Sequence, residues 1–352
     1  MHTIRLMLAI FLAITGVASA QSRIDDITNA EVEAGHFNGA LLAAKDGKVV
    51  ARLNKGIANF QFAVPITANT RLPIASMTKL FTTILVLQMV EKSLVTLNDR
   101  ASQFVPDLPV NCQNITILDL LTHHSGLENE PVQAYSAPHS TTDFVKQFVV
   151  KKVGQVAAFN YNNVDYIILT RVLEVVAKQT YPALLQENIL KPLGMGNSGM
   201  ISEARIIPGL AYGYHNYSYG SGKKDAPLEN DPLIYLSNYA GAGAMYSTLD
   251  DLYKLVQALR VNKLLTAKTT AELLKKPQQK GFVEYARGYP TLGFYHNAKT
   301  FSQPVLERRG SINGFNSVLL TDVDFNKVVI LLTNTDTGDL ELIGDKIYAE
   351  LE

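Results

Sequence analysis

The most constraining feature of the sequence is a run from Leu72 to Val90 that is apolar on nearly every side when it is placed on a helix. It reads LPIASMTKLFTTILVLQMV, and Lys79 is its only charged residue. A helix with apolar residues on nearly all faces is buried inside a protein rather than lying at its surface. We therefore predict a buried helix over this run, with Pro73 before it and Ser76 close to its start. Its proline, threonine, glutamine and lysine residues make it a poor candidate for a membrane span.

Strand patterns lie at both ends of the chain, and helical patterns lie in the middle. The predicted strands include residues 39–44, 48–53, 318–320 and 328–332, with a hairpin turn at Lys45-Asp46-Gly47. The predicted helices between them include residues 141–151, 164–178 and 181–189. This order favours an α/β fold of the α+β type, in which an antiparallel sheet flanked by helices is built from both chain ends and a mainly helical lobe is inserted. We expect residues 21–75 and 240–352 to form the sheet-containing lobe and residues 76–239 the helical lobe, with the active site between them.

The first twenty residues have the pattern of a secretory signal peptide. Arg5 supplies the positive charge, residues 6–17 are apolar, and Ala18-Ser19-Ala20 places small residues at the cleavage positions. An uncleaved membrane anchor is the alternative, but the apolar run is too short to span a bilayer comfortably. We therefore expect residues 1–20 to be removed, the mature chain to begin near Gln21 without a stable membrane span, and the protein to be periplasmic or secreted.

The charge balance and the cysteine content exclude several classes of protein. Lys+Arg and Asp+Glu both number 32 and no long basic run occurs, which argues against nucleic acid as a partner. A single cysteine, Cys112, excludes an internal disulfide, and no activating pattern surrounds it, so we interpret it as a partly buried spectator thiol. The adjacent His123 and His124 do not have the spacing of two metal ligands on one helix face. We expect neither a metal ion nor a cofactor.

The tetrad Ser76-Met77-Thr78-Lys79 brings a hydroxyl and an amine together inside the buried helix. Residues three apart lie on the same helix face, so the two side chains can approach each other. Burial of a lone lysine lowers its pKa toward neutrality, and a neutral amine can act as the base that a serine nucleophile requires. Free N–H groups at the start of the helix can help to hold a developing oxyanion. The tetrad alone is common by chance, and its buried setting is what favours a catalytic role.

Two further segments carry candidate site residues. Tyr161-Asn162-Asn163 precedes a predicted helix, where the tyrosine can shuttle a proton and Asn163 can orient a lysine and bind a substrate amide, or serve simply as a helix N-cap. Arg308-Arg309-Gly310-Ser311 leads towards a strand. There Arg308 can hold a substrate carboxylate, Gly310 lets a substrate backbone approach, and the Ser311 N–H can be an oxyanion donor, although a solvated surface pair of arginines is the alternative.

In this order, the three segments resemble the motifs of the serine β-lactamase superfamily, in its branch of class C β-lactamases, D-alanyl-D-alanine carboxypeptidases and esterases. That branch carries S-x-x-K, then Y-x-N, then K-x-G or H-x-G on a strand. The resemblance covers nearly all of the mature chain. Residues 120–127 resemble its LLTHTSGL segment, residues 192–195 its PLGM turn, residues 241–252 the AGG-ST-DL entry to a helix, and residues 314–315 the GF after the third motif.

The resemblance implies a role for each site residue. Ser76 is the nucleophile, Lys79 and Tyr161 form the general base and acid pair, and Asn163 positions Lys79 and the substrate. The N–H groups of Ser76 and Ser311 form the oxyanion hole, and the segment at His123-His124 is structural. Arg308 departs from the usual lysine or histidine, and because it stays protonated it cannot exchange protons as histidine does.

We therefore predict an exported serine hydrolase that acts through an acyl-enzyme on ester or peptide-like amide substrates, of the esterase or D-amino-acid peptidase type. A β-lactamase is one alternative, which the arginine of the third motif weakens. A non-catalytic protein that binds penicillin or cell-wall peptide is the other, and the intact set of catalytic residues argues against it. The expected partner is a small ester, peptide or β-lactam, and the sequence leaves the oligomeric state open.

Overall fold

The strands of the protein were located in a computed structural model that describes residues 19–151, 158–216, 226–275, 288–297 and 299–352. In chain order they are β1 Gly39–Lys45, β2 Lys48–Lys55, β3 Ile57–Asn59, β4 Val64–Pro65, β5 Leu72–Pro73, β6 Gly199–Met200, β7 Tyr214–His215, β8 Glu229–Asn230, β9 Met245–Ser247, β10 Gly288–Pro290, β11 Tyr295–Asn297, β12 Val305–Ile312, β13 Phe315–Thr321 and β14 Lys327–Thr333. The predicted signal segment falls almost wholly on residues 1–18, which lie outside the described residues.

The helices of the described ranges lie before, between and after the strands. They are α1 19–33, α2 Thr78–Glu91, α3 Ile117–Leu121, α4 Thr141–Phe148, α5 Val164–Ala177, α6 Tyr181–Leu185, α7 Lys191–Leu193, α8 Leu249–Arg260, α9 Ala267–Leu274 and α10 Leu340–Ala349. Short 3₁₀ helices include Ala75–Met77, Val132–Tyr135 and Leu236–Ala242. Within these ranges, none of the helices has both the length and the apolar content needed to cross a bilayer.

The main sheet has seven antiparallel strands in the order β10-β11-β12-β13-β14-β1-β2. The first strand lies beside the last, with Gly39 opposite Thr333 and Lys45 opposite Lys327. The prediction of an antiparallel sheet built from both chain ends is therefore confirmed. The predicted hairpin between β1 and β2 is also present, and Asp46 and Gly47 both adopt positive φ, of 52° and 80°. Two-residue hairpin turns need this conformation, and Asp-Gly is a favoured pair for it.

Each face of the sheet is covered by helices, so most strand residues are buried on both sides. On one face, which we call the outer face, α1 and α10 pack through Ile24 and Ile347 against strand residues such as Leu41. On the other, the inner face, α2, α5 and α8 pack against strand residues such as Leu42. Adjacent residues of a strand point to opposite faces, which is why the buried strand β1 is apolar throughout rather than alternating.

The buried helix begins later than the sequence predicts. Residues 78–89 are all buried, as expected for a helix that is apolar on nearly all sides. Leu72 and Pro73, however, form the short strand β5, which pairs with Ser247 and Tyr246 of β9, and the α-helix starts at Thr78. The prediction that the helix covers Leu72 is therefore wrong. β5 lies at the edge of its three-stranded sheet, where a proline without an N–H is tolerated.

Candidate active site

Ser76 lies in the 3₁₀ turn that joins β5 to α2, on a strained stretch of backbone. Ala75, directly before it, has a φ of 45°, a conformation that costs a residue with a Cβ roughly 1–2 kcal/mol. Residues held in such conformations concentrate at functional sites, where the surrounding structure enforces them. The strand β12 runs alongside this turn, and a Cβ added to Gly310 would lie 2.6 Å from the Ser76 nitrogen and 2.4 Å from the Ile74 oxygen. Only glycine allows this close approach.

Lys79 is fully buried and its amine has three hydrogen-bond partners. The Nζ atom lies 3.0 Å from Ser76 Oγ, 2.8 Å from Asn163 Oδ1 and 2.8 Å from the carbonyl oxygen of Ala242. The last two partners can only accept hydrogen bonds. In the neutral amine they take both hydrogens, so the lone pair points at the Ser76 hydroxyl. This is the arrangement that a base acting on Ser76 requires.

Tyr161 approaches the same hydroxyl from the other side. Its OH lies 2.7 Å from Ser76 Oγ, and its ring lies against Lys79, with Nζ 4.9 Å from the ring centroid. Ser76 Oγ is thus held between an amine and a phenol, each within the range at which a proton can be exchanged.

The electrostatics of the site lower the pKa of both groups that flank Ser76 Oγ. Burial lowers the pKa of Lys79, and the nearby Arg308 cation lowers it further, against an opposing effect of Tyr161 and of the Glu130 carboxylate. Burial alone raises the pKa of Tyr161, but the positive charges of Lys79 and Arg308 outweigh it, so the pKa of the phenol is lowered. Both groups are therefore moved towards the pH at which each can accept and donate a proton.

Asn163 does not use its side chain as a helix cap. α5 begins after it, but the oxygen of the Asn162 side chain accepts from the Asp165 N–H, while Asn163 bonds Lys79 through Oδ1 and donates through Nδ2 to Glu130 Oε1 at 2.9 Å. The side chain that caps α5 is therefore that of Asn162 rather than that of Asn163.

The third motif lies on β12, with its two arginines on opposite faces of the sheet. The Arg308 side chain is only 4% exposed, and its Nη2 and Nε donate to the Ser76 carbonyl oxygen at 2.8 and 3.3 Å. This guanidinium, which we expected to hold a substrate carboxylate, is directed at the backbone of the nucleophile. Ser311 follows Gly310 and is exposed, on a stretch of β12 beyond the last residue that pairs with β11, Glu307.

The structure therefore brings together the predicted residues Ser76, Lys79, Tyr161, Asn163, Arg308 and Gly310, with Ser311 adjacent. The family model described as Beta-lactamase matches residues 24–351. The chain belongs to the Beta-lactamase family.

Curated relatives in this family are similar over most of the chain. A putative penicillin-binding protein, PbpX, of Bacillus subtilis is 27% identical over 93% of this chain and 78% of its own. A teichoic acid D-alanine hydrolase of Staphylococcus aureus is 26% identical over 90% of this chain and 74% of its own. Among solved structures, a D-amino acid amidase of Ochrobactrum anthropi superposes with a TM-score of 0.80 at 22% identity, covering 94% of this chain and 98% of the amidase. The predicted fold class and the predicted enzyme class, a serine hydrolase of the β-lactamase fold, are confirmed.

Two groups of site residues were missed by sequence reasoning. Glu130 lies in the loop before the 3₁₀ helix Val132–Tyr135, and its Oε1 accepts from Asn163 and from the Tyr135 hydroxyl. The carbonyl of Ala242 accepts from Lys79, two residues after Ala240, whose φ of 44° is another strained position. Carbonyl acceptors and loop carboxylates have no local sequence signature, so only the folded chain reveals them.

His123 packs against the ring of Tyr161. Its ring lies 4.6 Å from the ring of Tyr161, and its Nδ1 is 2.9 Å from Asp165 Oδ2. Burial, with the charges of Lys79 and Arg308, keeps the pKa of His123 well below its usual value, and burial raises the pKa of Asp165. The His123 carbonyl also accepts from the Asn160 N–H, which ties down the loop before Tyr161.

Cys112 lies in the larger hydrophobic cluster, and burial raises the pKa of its thiol, so it is not an activated nucleophile. Within the residues that the structure describes, no three histidine, cysteine or acidic side chains cluster closely enough to hold a metal ion.

Proposed function

We propose that the protein is an exported hydrolase that cleaves small esters and amides through an acyl-enzyme on Ser76, with D-aminoacyl compounds as its preferred acyl donors. The observation that carries the proposal is the position of Ser76 Oγ, 3.0 Å from the Lys79 amine and 2.7 Å from the Tyr161 hydroxyl. A serine held in this way has both the base and the acid that acyl transfer requires.

The reaction follows from these contacts. Neutral Lys79 takes the Ser76 proton as Oγ bonds the substrate carbonyl carbon, and the Ser76 and Ser311 N–H groups hold the oxyanion. The proton passes through Tyr161 to the leaving alcohol or amine as its bond to the acyl carbon breaks. A water molecule then gives a proton to the same pair, attacks the acyl carbon and releases the acid, which restores the Ser76 hydroxyl.

The orientation of Arg308 supports substrates without a carboxylate on the leaving group. Penicillins and D-alanyl-D-alanine peptides carry such a carboxylate, and a free cation in the third motif suits it. Here the guanidinium is buried and donates to the Ser76 carbonyl. The names of the teichoic acid D-alanine hydrolase and of the D-amino acid amidase support a D-aminoacyl group as the part that is transferred to Ser76.

A panel of four chromogenic substrates tests this proposal: p-nitrophenyl butyrate, D-alanine p-nitroanilide, its L enantiomer and the cephalosporin nitrocefin. We expect the mature protein to cleave the butyrate and the D-anilide. It should cleave the D-anilide about 10-fold faster than the L-anilide, since a difference in fit to a pocket is worth about 1–3 kcal/mol. Ser76→Ala is the control and should be inactive on all four. Nitrocefin turnover that matches the ester would support the β-lactamase alternative.

The non-catalytic alternative makes a distinct prediction. A protein that only binds penicillin or cell-wall peptide should show no turnover on the panel, whereas covalent labelling of Ser76 by a fluorophosphonate requires the activated hydroxyl. Export is tested separately by amino-terminal sequencing of the protein from the periplasm or the medium, where we expect the chain to begin near Gln21.

A further inference from the structure

The Asn163 side chain contacts Lys79 at one end and Glu130 at the other, and this second contact is what sets its orientation. An asparagine amide has an acceptor end and a donor end of nearly equal shape. The Lys79 ammonium only donates and a carboxylate only accepts. Asn163 Oδ1 must therefore face Lys79, at 2.8 Å, while Nδ2 faces Glu130 Oε1, at 2.9 Å.

The orientation of this amide decides where the lysine lone pair points. With Oδ1 facing it, neutral Lys79 gives its two hydrogens to Asn163 and to the Ala242 carbonyl, and its lone pair faces Ser76. With the amide reversed, an N–H of Asn163 would face the amine, attract the lone pair and turn it away from the serine. We propose that Glu130 is a positioning residue of this site, whose carboxylate locks the Asn163 amide so that the Lys79 lone pair is directed at Ser76.

Glu130 is itself held in place by a second donor. The Tyr135 hydroxyl donates to the same Oε1 atom, and Tyr135 is buried with its ring stacked on Tyr239 at 4.1 Å. A glutamine at position 130 keeps an oxygen that can accept from Tyr135, but its amide can face Asn163 with either end and so no longer fixes the Asn163 orientation. The inference rests on the proposed function, because it assigns a residue to the base of that reaction.

The carboxylate also acts on Lys79 by its charge. The titratable groups around the amine include Tyr161, Tyr166, Glu130, Arg308, His123 and Asp165. Burial and Arg308 lower the pKa of Lys79, and Glu130 opposes them. Loss of the Glu130 charge should lower that pKa further, so the acidic limb of the pH–rate profile, where Lys79 must lose its proton, should move to lower pH.

The test is a set of pH profiles of kcat and kcat/KM on p-nitrophenyl butyrate for the wild type, Glu130→Gln, Glu130→Asp, Asn163→Asp and the double variant Glu130→Gln/Asn163→Asp. Glu130→Gln should lower kcat by about 10-fold, a part of the 10²–10⁴ that a positioned base contributes, and move the acidic limb to lower pH. Glu130→Asp keeps the charge but is one methylene too short to reach the amide, so kcat should fall while the limb stays in place.

The double variant should restore the hydrogen bond between positions 130 and 163, with its donor and acceptor exchanged. In Asn163→Asp two carboxylates face each other, and in the double variant the new amide at position 130 can donate to one oxygen of the new carboxylate while Lys79 donates to the other. We expect the double variant to be at least about 5-fold more active than Asn163→Asp, because neighbouring residues in one network are coupled rather than additive. Glu33→Gln, which removes an exposed carboxylate on α1, is the charge-matched control and should match the wild type.

Two results would overturn the inference: values of kcat for Glu130→Gln and Glu130→Asp that equal that of the wild type, or a double variant whose loss equals the product of the two single losses. The rate at which a fluorophosphonate labels Ser76 is measured in parallel on all variants. If the wild type is labelled but cleaves no butyrate, the proposed substrate class fails, while the labelling rates still decide the role of Glu130.

Discussion

Arg308 and Arg309 are neighbours on β12, yet they lie on opposite faces of the sheet and have different surroundings. Arg308 points to the inner face and donates to the Ser76 carbonyl. Arg309 points to the outer face, where it pairs with the carboxylates of Glu307 and of Glu341 on α10. An arginine therefore contacts the turn that contains Ser76 on one face, and an arginine joins a helix to the sheet on the other.

The two faces of the sheet also differ in the kinds of residue that are buried on them. Beneath α1 and α10 the outer face is packed mainly by aliphatic side chains such as Leu331 and Ile347. On the inner face, Lys79, His123 and Asp165 are buried among apolar residues, each with hydrogen bonds. Buried polar groups are costly unless they are hydrogen-bonded. Packing on the inner face therefore requires specific hydrogen-bond partners, whereas packing on the outer face requires mainly side chains of the right volume.

The strongest test of this comparison is Lys79→Met, which replaces the buried amine by a chain of similar length. We expect kcat/KM on p-nitrophenyl butyrate to fall by about 10³-fold or more, since the base is removed. The native pKa of Lys79 lies below its value of 10.5 in the unfolded chain. Between these two pKa values the unfolded state binds more protons, so the stability of the wild type falls as the pH falls through this window.

The methionine variant lacks this linkage. Its free energy of unfolding relative to the wild type should therefore rise as the pH is lowered through the same window and then level off below the native pKa. Urea unfolding at several pH values measures it. A difference that is independent of pH would show that Lys79 is not perturbed by burial.

On the outer face, Ile347→Ala should lower stability and leave activity unchanged. It removes a fully buried side chain from α10, and we expect a loss of about 3 kcal/mol of unfolding free energy, within the range of 2–5 kcal/mol for such truncations. Values of kcat and KM measured well below the melting temperature should be unchanged, because the residue packs on the face away from Ser76. A large drop in kcat at a temperature where the variant is folded would contradict the separation of the two faces.

Arg308→Gln should affect activity more than stability. It removes the charged donors to the Ser76 carbonyl, and we expect a loss of about 10-fold in kcat/KM, close to the 1.4 kcal/mol of one such hydrogen bond. Arg308 lowers the pKa of Lys79, so its removal should move the acidic limb of the pH–rate profile to higher pH. An unchanged acidic limb would show that the charge of Arg308 does not affect the pKa of Lys79.

Arg309→Gln should also leave activity unchanged and act instead on pH-dependent stability. Burial raises the pKa of Glu307, and Arg309 opposes this effect, so without the arginine the pKa rises further. A carboxyl whose native pKa is raised destabilises the fold as the pH rises above its unfolded value. The variant should therefore lose about 1–3 kcal/mol near neutral pH and less below pH 4.5, as measured by thermal melts with activity as the control.

The parts of the structure that the sequence predicted were those with local signals. The Asp46-Gly47 turn follows from two residues that tolerate positive φ, and the approach of Ser76 to Lys79 follows from their spacing. The start of the buried helix at Thr78 rather than Leu72 could not be predicted in this way, because β5 is formed by pairing with β9, which lies far away in the sequence. The helix and strand propensities of residues 72–90 could not reveal a partner strand elsewhere in the chain.

The side-chain directions in the site were also beyond local reasoning. Arg308 was expected to meet a substrate carboxylate, but the turn containing Ser76 passes next to β12 and offers the carbonyl that it binds. The sequence does not single out Glu130, because its contact with Asn163 is a single hydrogen bond between two loops that only the folded chain brings together. The motifs identified which residues belong together, and the tertiary structure decided what each one contacts.

The most direct test of the account is to trap the acyl-enzyme. The mature protein is mixed with p-nitrophenyl butyrate, quenched with acid within milliseconds, digested and analysed by mass spectrometry. The account predicts a butyryl group on the peptide that contains Ser76, absent from Ser76→Ala and much slower to form in Lys79→Met. A butyryl group on another residue, or full turnover by Ser76→Ala, would contradict it.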